Sequence, residues 1–237
     1  LTPFIFGFFI PVVRLFTWML TSNVNIYELN LIKTVFNTFY ISIISSFTIV
    51  FLAYFINFSK NYFNNDACKK ISQLAILGYS MPGAIIAIGI LKFGSAINDL
   101  VSIVFIGSIF GLIFSYIVRF FAVAWQPIDS SMEKFCKNVN QASRTLNVKP
   151  LKLMKNINFP ILSKPIMIAG LIVFIDISKE LPLTLIIRPF NFDTLATLTY
   201  DLVNQAQFFQ SAIPSLLIIL ISIPAILIIK TQMDKSI

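Results

Sequence analysis

The stretch FIDISKELPLTLIIRPFNFDTLA, Phe174 to Ala196, places Asp176, Lys179 and Glu180 in an otherwise apolar run. At i, i+3 and i+4 the three share one face of a helix. Two carboxylates and an ammonium so arranged can receive a cation and line a solute path or its gate. They can equally neutralise one another and hold helices together, and the spacing does not choose between the two. Counted from Pro165, Asp176 lies roughly 16 Å along a helix, near the middle of a hydrocarbon core about 30 Å thick. Charges at that depth are costly and face a bundle interior or water. Pro182 then removes a backbone hydrogen bond, so the helix is expected to kink or end there. Such a break is tolerated where it is buried in protein or lines a cavity.

Other chemistry is thinly provided. The chain has no His, and Cys68 and Cys136 stand apart without a CxxC pair. Neither a zinc site nor a disulfide framework is supported. The usual nucleophile arrangements and a P-loop are absent, so no enzymatic role and no cofactor are expected, and any ATP hydrolysis belongs to another chain.

The elements that position these residues follow from composition. The 237 residues are 57% hydrophobic and 12% charged, with a mean hydropathy of +0.85, whereas a soluble domain carries roughly 25% charged residues. This composition implies an all-α, polytopic membrane protein. Apolar runs predict six spans: Phe4 to Leu20, Val35 to Phe58, Ile71 to Leu91, Leu100 to Val123, Pro165 to Ser178 and Phe209 to Ile229. The sequence begins with Leu, already in an apolar stretch without the basic region or cleavage site of a signal peptide, and is expected to start inside a longer protein.

The net charge of +8 raises the question of nucleic acid. The positions of the cations answer it. With Gln141–Pro160 in the cytoplasm, alternation leaves Lys60, Lys69, Lys70, Lys134, Lys137, Arg144, Lys149, Lys152, Lys155, Lys164, Lys230 and Lys235 inside, against Lys33, Lys92 and Arg188 outside. That asymmetry follows the positive-inside rule, and nucleic acid becomes unnecessary.

The polar segment QASRTLNVKPLKLMKNINFP, Gln141 to Pro160, reads as a helical hairpin outside the bilayer. Ser130 and Glu133 are spaced as a capping box at a helix start. Met132, Phe135, Cys136, Val139, Ala142, Ser143 and Leu146 then recur at helical spacing. Asn147 suits a left-handed helix end, and Pro150 the first turn of a second helix. Leu151, Met154 and Ile157 give that helix an apolar stripe, and Pro160 and Pro165 are expected to break the chain before the next span. Periodicity leaves open whether the apolar face meets anionic lipid, its own bundle or another subunit.

The spacing of this loop resembles the motif of bacterial ABC importer membrane subunits written EAA, three residues, G, nine residues, I, one residue, LP. Gln141, Ala142 and Ser143 fill the EAA positions, Asn147 the Gly position, Ile157 the Ile position, and Phe159 with Pro160 the LP position. The resemblance implies coupling helices, within a loop spanning residues 124–164, that dock on a cytoplasmic ABC ATPase dimer. Gln141 lacks the usual carboxylate, so an ion pair there becomes a neutral hydrogen bond.

A second resemblance is more specific. KELPLTLIIRPFNFDTLA looks like a segment of the iron(III) ABC importer permeases, and GYSMPGAIIAIGIL at Gly78 to Leu91 resembles their GYxxPG segment. RFFAVAWQPIDSSMEK at Arg119 to Lys134 and GFFIPVVRL at Gly7 to Leu15 also fit. The resemblance implies a single permease domain over residues 1–237, the second half of a two-half permease in the bacterial inner membrane. Its implied partners are the ATPase, a periplasmic solute-binding protein, the other permease half and membrane lipid. Asp176, Lys179, Glu180 and Pro182 are then expected at the translocation path or gate. Thiamine permeases are close relatives, and an ion-gradient-driven secondary transporter is the rival of another class. Ferric iron is a hard cation that prefers oxygen ligands, but one Asp/Glu pair beside Lys179 is a poor cage. Capture is therefore expected on the separate binding protein.

Overall fold

The computed structural model describes residues 2–21, 30–63, 70, 73, 76–101 and 105–234, with backbone alone at 98–101. Cys68, Lys69, Lys235 and Ile71, the expected start of the third span, lie outside the described residues. All regular structure among the described residues is helical. We label the helices α1 Thr2–Thr21, α2 Leu31–Phe63, α3 Gly83–Val101, α4 Ile109–Thr145, α5 Pro150–Ser178, α6 Pro182–Ile187, α7 Leu195–Asn204 and α8 Phe208–Asp234. Five of them, α1, α2, α4, α5 and α8, are long and apolar enough to cross a membrane, and α3 contributes a shorter apolar stretch, Gly83–Ile97.

The bundle is built around α2, α4 and α5, which pack pairwise on one another. Helix α2 shows why. Its buried face carries Thr34, Thr38, Ser42, Ser45, Ser46, Ala53 and Asn57, while Ile32, Phe36, Phe47 and Phe51 point outward. Small residues let helix backbones approach closely, and large apolar ones suit lipid tails. The Ser46 hydroxyl donates to the Gly170 carbonyl of α5 at 2.6 Å, fixing that crossing. Helix α1 has no buried residue in its spanning window and lies against α8, where Trp18 meets Phe209 edge to face.

Two sequence expectations are overturned and one helix is new. No helix begins at Ser130: α4 runs unbroken from Ile109 to Thr145, so its backbone donors at that point already have intrahelical partners and a capping box has nothing to cap. Ser130 instead donates to the Gln126 carbonyl, and Glu133 reaches Lys60. Pro160 and Pro165 do not break the chain either, because α5 is continuous from Pro150 to Ser178. A π-helical turn over Met154–Asn158 changes the hydrogen-bond register just ahead of Pro160, with the Phe159 N–H reaching back to the Met154 carbonyl. Finally, a helix not anticipated from the sequence, α7, follows the RPFNFDT loop. Thr194 and Thr197 cap it reciprocally, and Thr38 of α2 accepts the Leu195 N–H at 2.9 Å.

Candidate functional site

Helix α5 ends at Ser178 and the chain restarts as a helix at Pro182, as Pro182 led one to expect. This break sits beside Arg119, about 15 Å from Ile109 at the start of α4 and a similar distance from Ser130. A core about 30 Å thick crossed from Ile109 to Ser130 would have the break at its middle.

Because the helix stops, Asp176, Lys179 and Glu180 do not share one face. Asp176 pairs with Lys179 at 2.9 Å, while Glu180 turns inward to Arg119 of α4 at 3.4 Å. Glu180 is only 7% exposed and Lys179 is 57% exposed, so the two neighbours in sequence occupy different environments. One Glu180 oxygen faces the guanidinium and the other, Oε1, accepts the Leu183 N–H at 3.1 Å. The Glu180 carbonyl accepts the Thr184 hydroxyl, which also bonds Tyr116 at 2.6 Å. The backbone groups freed by the break are therefore met by side chains, as an apolar surrounding demands.

Arg119, Gly83 and Tyr116 were not singled out from the sequence. A Cβ on Gly83 would overlap the Arg119 guanidinium, and one on Gly78 would overlap the Val118 carbonyl. The two glycines of GYSMPG thus let the turn ahead of α3 press directly against α4. Arg119 could have been found by its signal: a charge within the apolar run Leu100 to Val123 requires a partner. Beside this cluster Asp176 shares a cavity of about 450 Å³ with Tyr79, Gln126, Ser130 and Ile172.

The second site is the hairpin. The first arm ends at Thr145, and Asn147 adopts φ 53°, the left-handed conformation expected of it. The Val148 N–H bonds the Ser143 carbonyl and the Asn147 N–H bonds the Arg144 carbonyl, which is a Schellman closure. Pro150 opens the second arm at its first position, as expected. The side chain of Asn158 donates to Asn140 at 2.9 Å and ties the arms together. The Tyr54 hydroxyl of α2 donates to the Met154 carbonyl at 2.7 Å and ties the hairpin to the bundle.

The buried face differs from the expected stripes. Met132, Cys136, Asn140, Ser143, Leu153 and Asn158 are buried, whereas Phe135, Ala142, Leu146, Leu151 and Ile157 are exposed. Of the loop-motif residues, Gln141, Ala142, Asn147, Ile157 and Pro160 are exposed, and Ser143 is buried with its hydroxyl on the Asn140 carbonyl. The tip therefore presents Leu146, 75% exposed, and Leu151, 71% exposed, among Arg144, Lys149 and Lys152. Folded on both arms and tied at its base, it is a rigid apolar knob in a basic surround.

No protein-family profile matches the chain. It is 23% identical over 232 residues to the Fe(3+)-transport system permease protein FbpB 2 of Haemophilus influenzae, covering 96% of this chain. The chain spans just under half of that relative's length, 45%. Two solved structures share its fold. One is a bacterial ABC transporter involved in the import of the acidic polysaccharide alginate, with a TM-score of 0.67 at 16% identity over 98% of this chain and 90% of that one. The other is a bacterial alginate ABC transporter in complex with an alginate pentasaccharide-bound periplasmic protein, with a TM-score of 0.66 at 14% identity over 95% of this chain and 88% of that one.

Proposed function

We propose that the chain is a transmembrane permease domain of an ATP-driven ABC importer, and that the solute it passes is ferric iron delivered by a periplasmic binding protein. The observation that carries the coupling half of this reading is the hairpin tip. Leu146 and Leu151 are exposed on a turn whose backbone is closed by its own hydrogen bonds, so the knob is shaped for a partner. A cytoplasmic ATPase dimer fits it, because the chain itself has no P-loop. The similarity to the Haemophilus permease supports iron over thiamine, and the relative's greater length supports a second permease half alongside this one. The alginate complex supports a periplasmic binding protein as partner.

On the path, the carboxylates of Asp176 and Glu180 are already held by Lys179 and Arg119. Such a pair suits transient passage and gating of a hard cation better than its capture. Asp176, with its cavity running past Gln126 to Ser130 of α4, lines the route, and Glu180 with Pro182 holds the broken helix that gates it.

The test is uptake into proteoliposomes containing the permease and its ATPase, with the binding protein outside. ATP-dependent accumulation of ferric iron, unaffected by excess thiamine, is the expected result. Uptake by the permease alone, driven by a proton or sodium gradient, would instead make it a secondary transporter. ATP-dependent uptake of thiamine without iron would keep the machine and change its cargo.

A further inference from the structure

The geometry points to a binding site for a phosphate group at the cytoplasmic membrane edge, in the basin between the end of α2 and the first arm of the hairpin. The basin is a cavity of about 850 Å³. Its walls include Lys60 and Asn61 from α2, and Ser130, Glu133, Lys134, Lys137 and Arg144 from α4. Lys60 is already matched by Asp129 at 2.8 Å and Glu133 at 3.4 Å. Lys134, Lys137 and Arg144 have no carboxylate partner among the described residues. Three unmatched cations therefore converge on one concave surface.

A second observation points to a ligand. Asn140, which also lines the basin, is 3% exposed. Its Oδ1 accepts from Asn158, while its own Nδ2, like the Asn158 Oδ1, is buried without a partner among the described residues. A buried donor left unpaired is costly, and an acceptor oxygen in the basin would satisfy it. Gln141 on the same wall offers a further amide. Arg144 lies over the Tyr62 ring at 5.1 Å, and this stacking orients the planar guanidinium, which is suited to bidentate contact with phosphate.

Depth selects the class of anion. From Ile109 to Ser130 α4 rises about 31 Å, the thickness of the hydrocarbon core, and from Leu31 to Lys60 α2 rises about 43 Å, close to a bilayer with its headgroups. Both helices bring the Lys60 and Ser130 wall of the basin to the level of the inner-leaflet headgroups, where phosphate is abundant as phospholipid, with the remaining cations rising from there on the cytoplasmic side. A free inorganic phosphate offers the same oxygens from the cytoplasm. The inference does not depend on which solute crosses the membrane.

The experiment compares the purified permease with a Lys134→Gln/Lys137→Gln/Arg144→Gln variant and with a Lys152→Gln/Lys155→Gln/Lys164→Gln control that loses equal charge outside the basin. Inorganic phosphate binding is measured by calorimetry against chloride at equal ionic strength. Retention of phosphatidylglycerol against phosphatidylcholine is measured by native mass spectrometry. The basin variant should bind at least about tenfold more weakly than wild type and control. Retained phosphatidylglycerol without phosphate binding assigns the site to a lipid headgroup, and phosphate binding in detergent assigns it to the free ion. Equal binding by the basin variant and wild type overturns the site, as does a wild type that neither responds to phosphate beyond chloride nor retains phosphatidylglycerol beyond phosphatidylcholine. Should the variant fail to fold, that wild-type comparison of phosphate with chloride, and of the two lipids, decides the matter.

Discussion

Arg119 of α4 and Glu180 at the break after α5 meet at 3.4 Å, and Gly83 must lack a side chain for them to do so. Three passages distant in sequence converge on one ion pair at mid-membrane. Glu180 does two tasks there, since Oε2 faces the guanidinium while Oε1 caps the Leu183 N–H.

These tasks separate by substitution. Glu180→Gln keeps an acceptor for Leu183 but removes the charge, leaving Arg119 uncompensated. Removing one partner of a buried pair costs about 3–5 kcal/mol, so the single variant should unfold in detergent at clearly lower temperature. Arg119→Met combined with Glu180→Gln removes both charges and should recover most of that loss. If the pair is purely structural, transport recovers with stability. If it gates the path, the double variant assembles yet transports poorly, and thermal unfolding together with uptake distinguishes the two.

The glycines give a sharper discrimination. Gly83→Ala sets a methyl against the tip of Arg119, whereas Gly78→Ala sets one against the Val118 backbone carbonyl. Overpacking of this kind costs about 1–3 kcal/mol. In an Arg119→Met background the Gly83→Ala cost should shrink, because the shorter side chain can yield, while the Gly78→Ala cost should persist. Gly89→Ala, with nothing within 4 Å, is the neutral control. Equal costs in both backgrounds for Gly83→Ala would show that Arg119 is not what that glycine accommodates.

How much of this was legible depends on the range of the interactions. Asn147 and Pro150 announced the hairpin turn because left-handed backbone and a fixed proline φ are local properties, and both are found where expected. Pro182 announced the break for the same reason. The face of the first arm was legible in part, since Met132, Cys136 and Ser143 of its expected stripe are buried; that of the second was not. Spacing arguments assume a constant helical period, but the π-helical turn at Met154–Asn158 adds a residue and rotates the remainder of the helix by about 100°. Leu153 and Asn158, on either side of most of that turn, both face in, and Ile157 of the expected stripe is exposed. The partner of Glu180 was hidden differently: helical spacing set it on one face with Asp176 and Lys179, and only the tertiary crossing of α4 supplies Arg119.

The hairpin tip should be separable from the fold. Leu146→Asp and Leu151→Asp alter exposed side chains and should change stability by less than about 0.5 kcal/mol. Both should abolish co-purification of the ATPase. Asn147→Gly should leave docking and stability intact, since Gly adopts positive φ freely, whereas Asn147→Val forces a β-branched residue into that conformation at about 1–2 kcal/mol. Retention of the ATPase by the Leu146→Asp/Leu151→Asp variant would remove the tip as the docking surface.

A push on the hairpin can reach the bundle by two routes. Its arms continue covalently into α4 and α5, and side chains reach α2: the Tyr54 hydroxyl on the Met154 carbonyl at 2.7 Å, Lys60 on Glu133 at 3.4 Å and the Tyr62 ring under Arg144. That carbonyl also accepts the Phe159 N–H, and the Tyr54 ring stays packed edge to face on Phe159 when its hydroxyl is lost. Tyr54→Phe should therefore cost only about 1 kcal/mol in stability and leave ATPase docking unchanged. Motion of α2 would lose one of its links to the lever, leaving the Lys60–Glu133 pair and Arg144 over the Tyr62 ring, so ATP hydrolysed per solute imported should rise. An unchanged ratio would mean that the Tyr54 hydroxyl is not a link that transmits the stroke to α2.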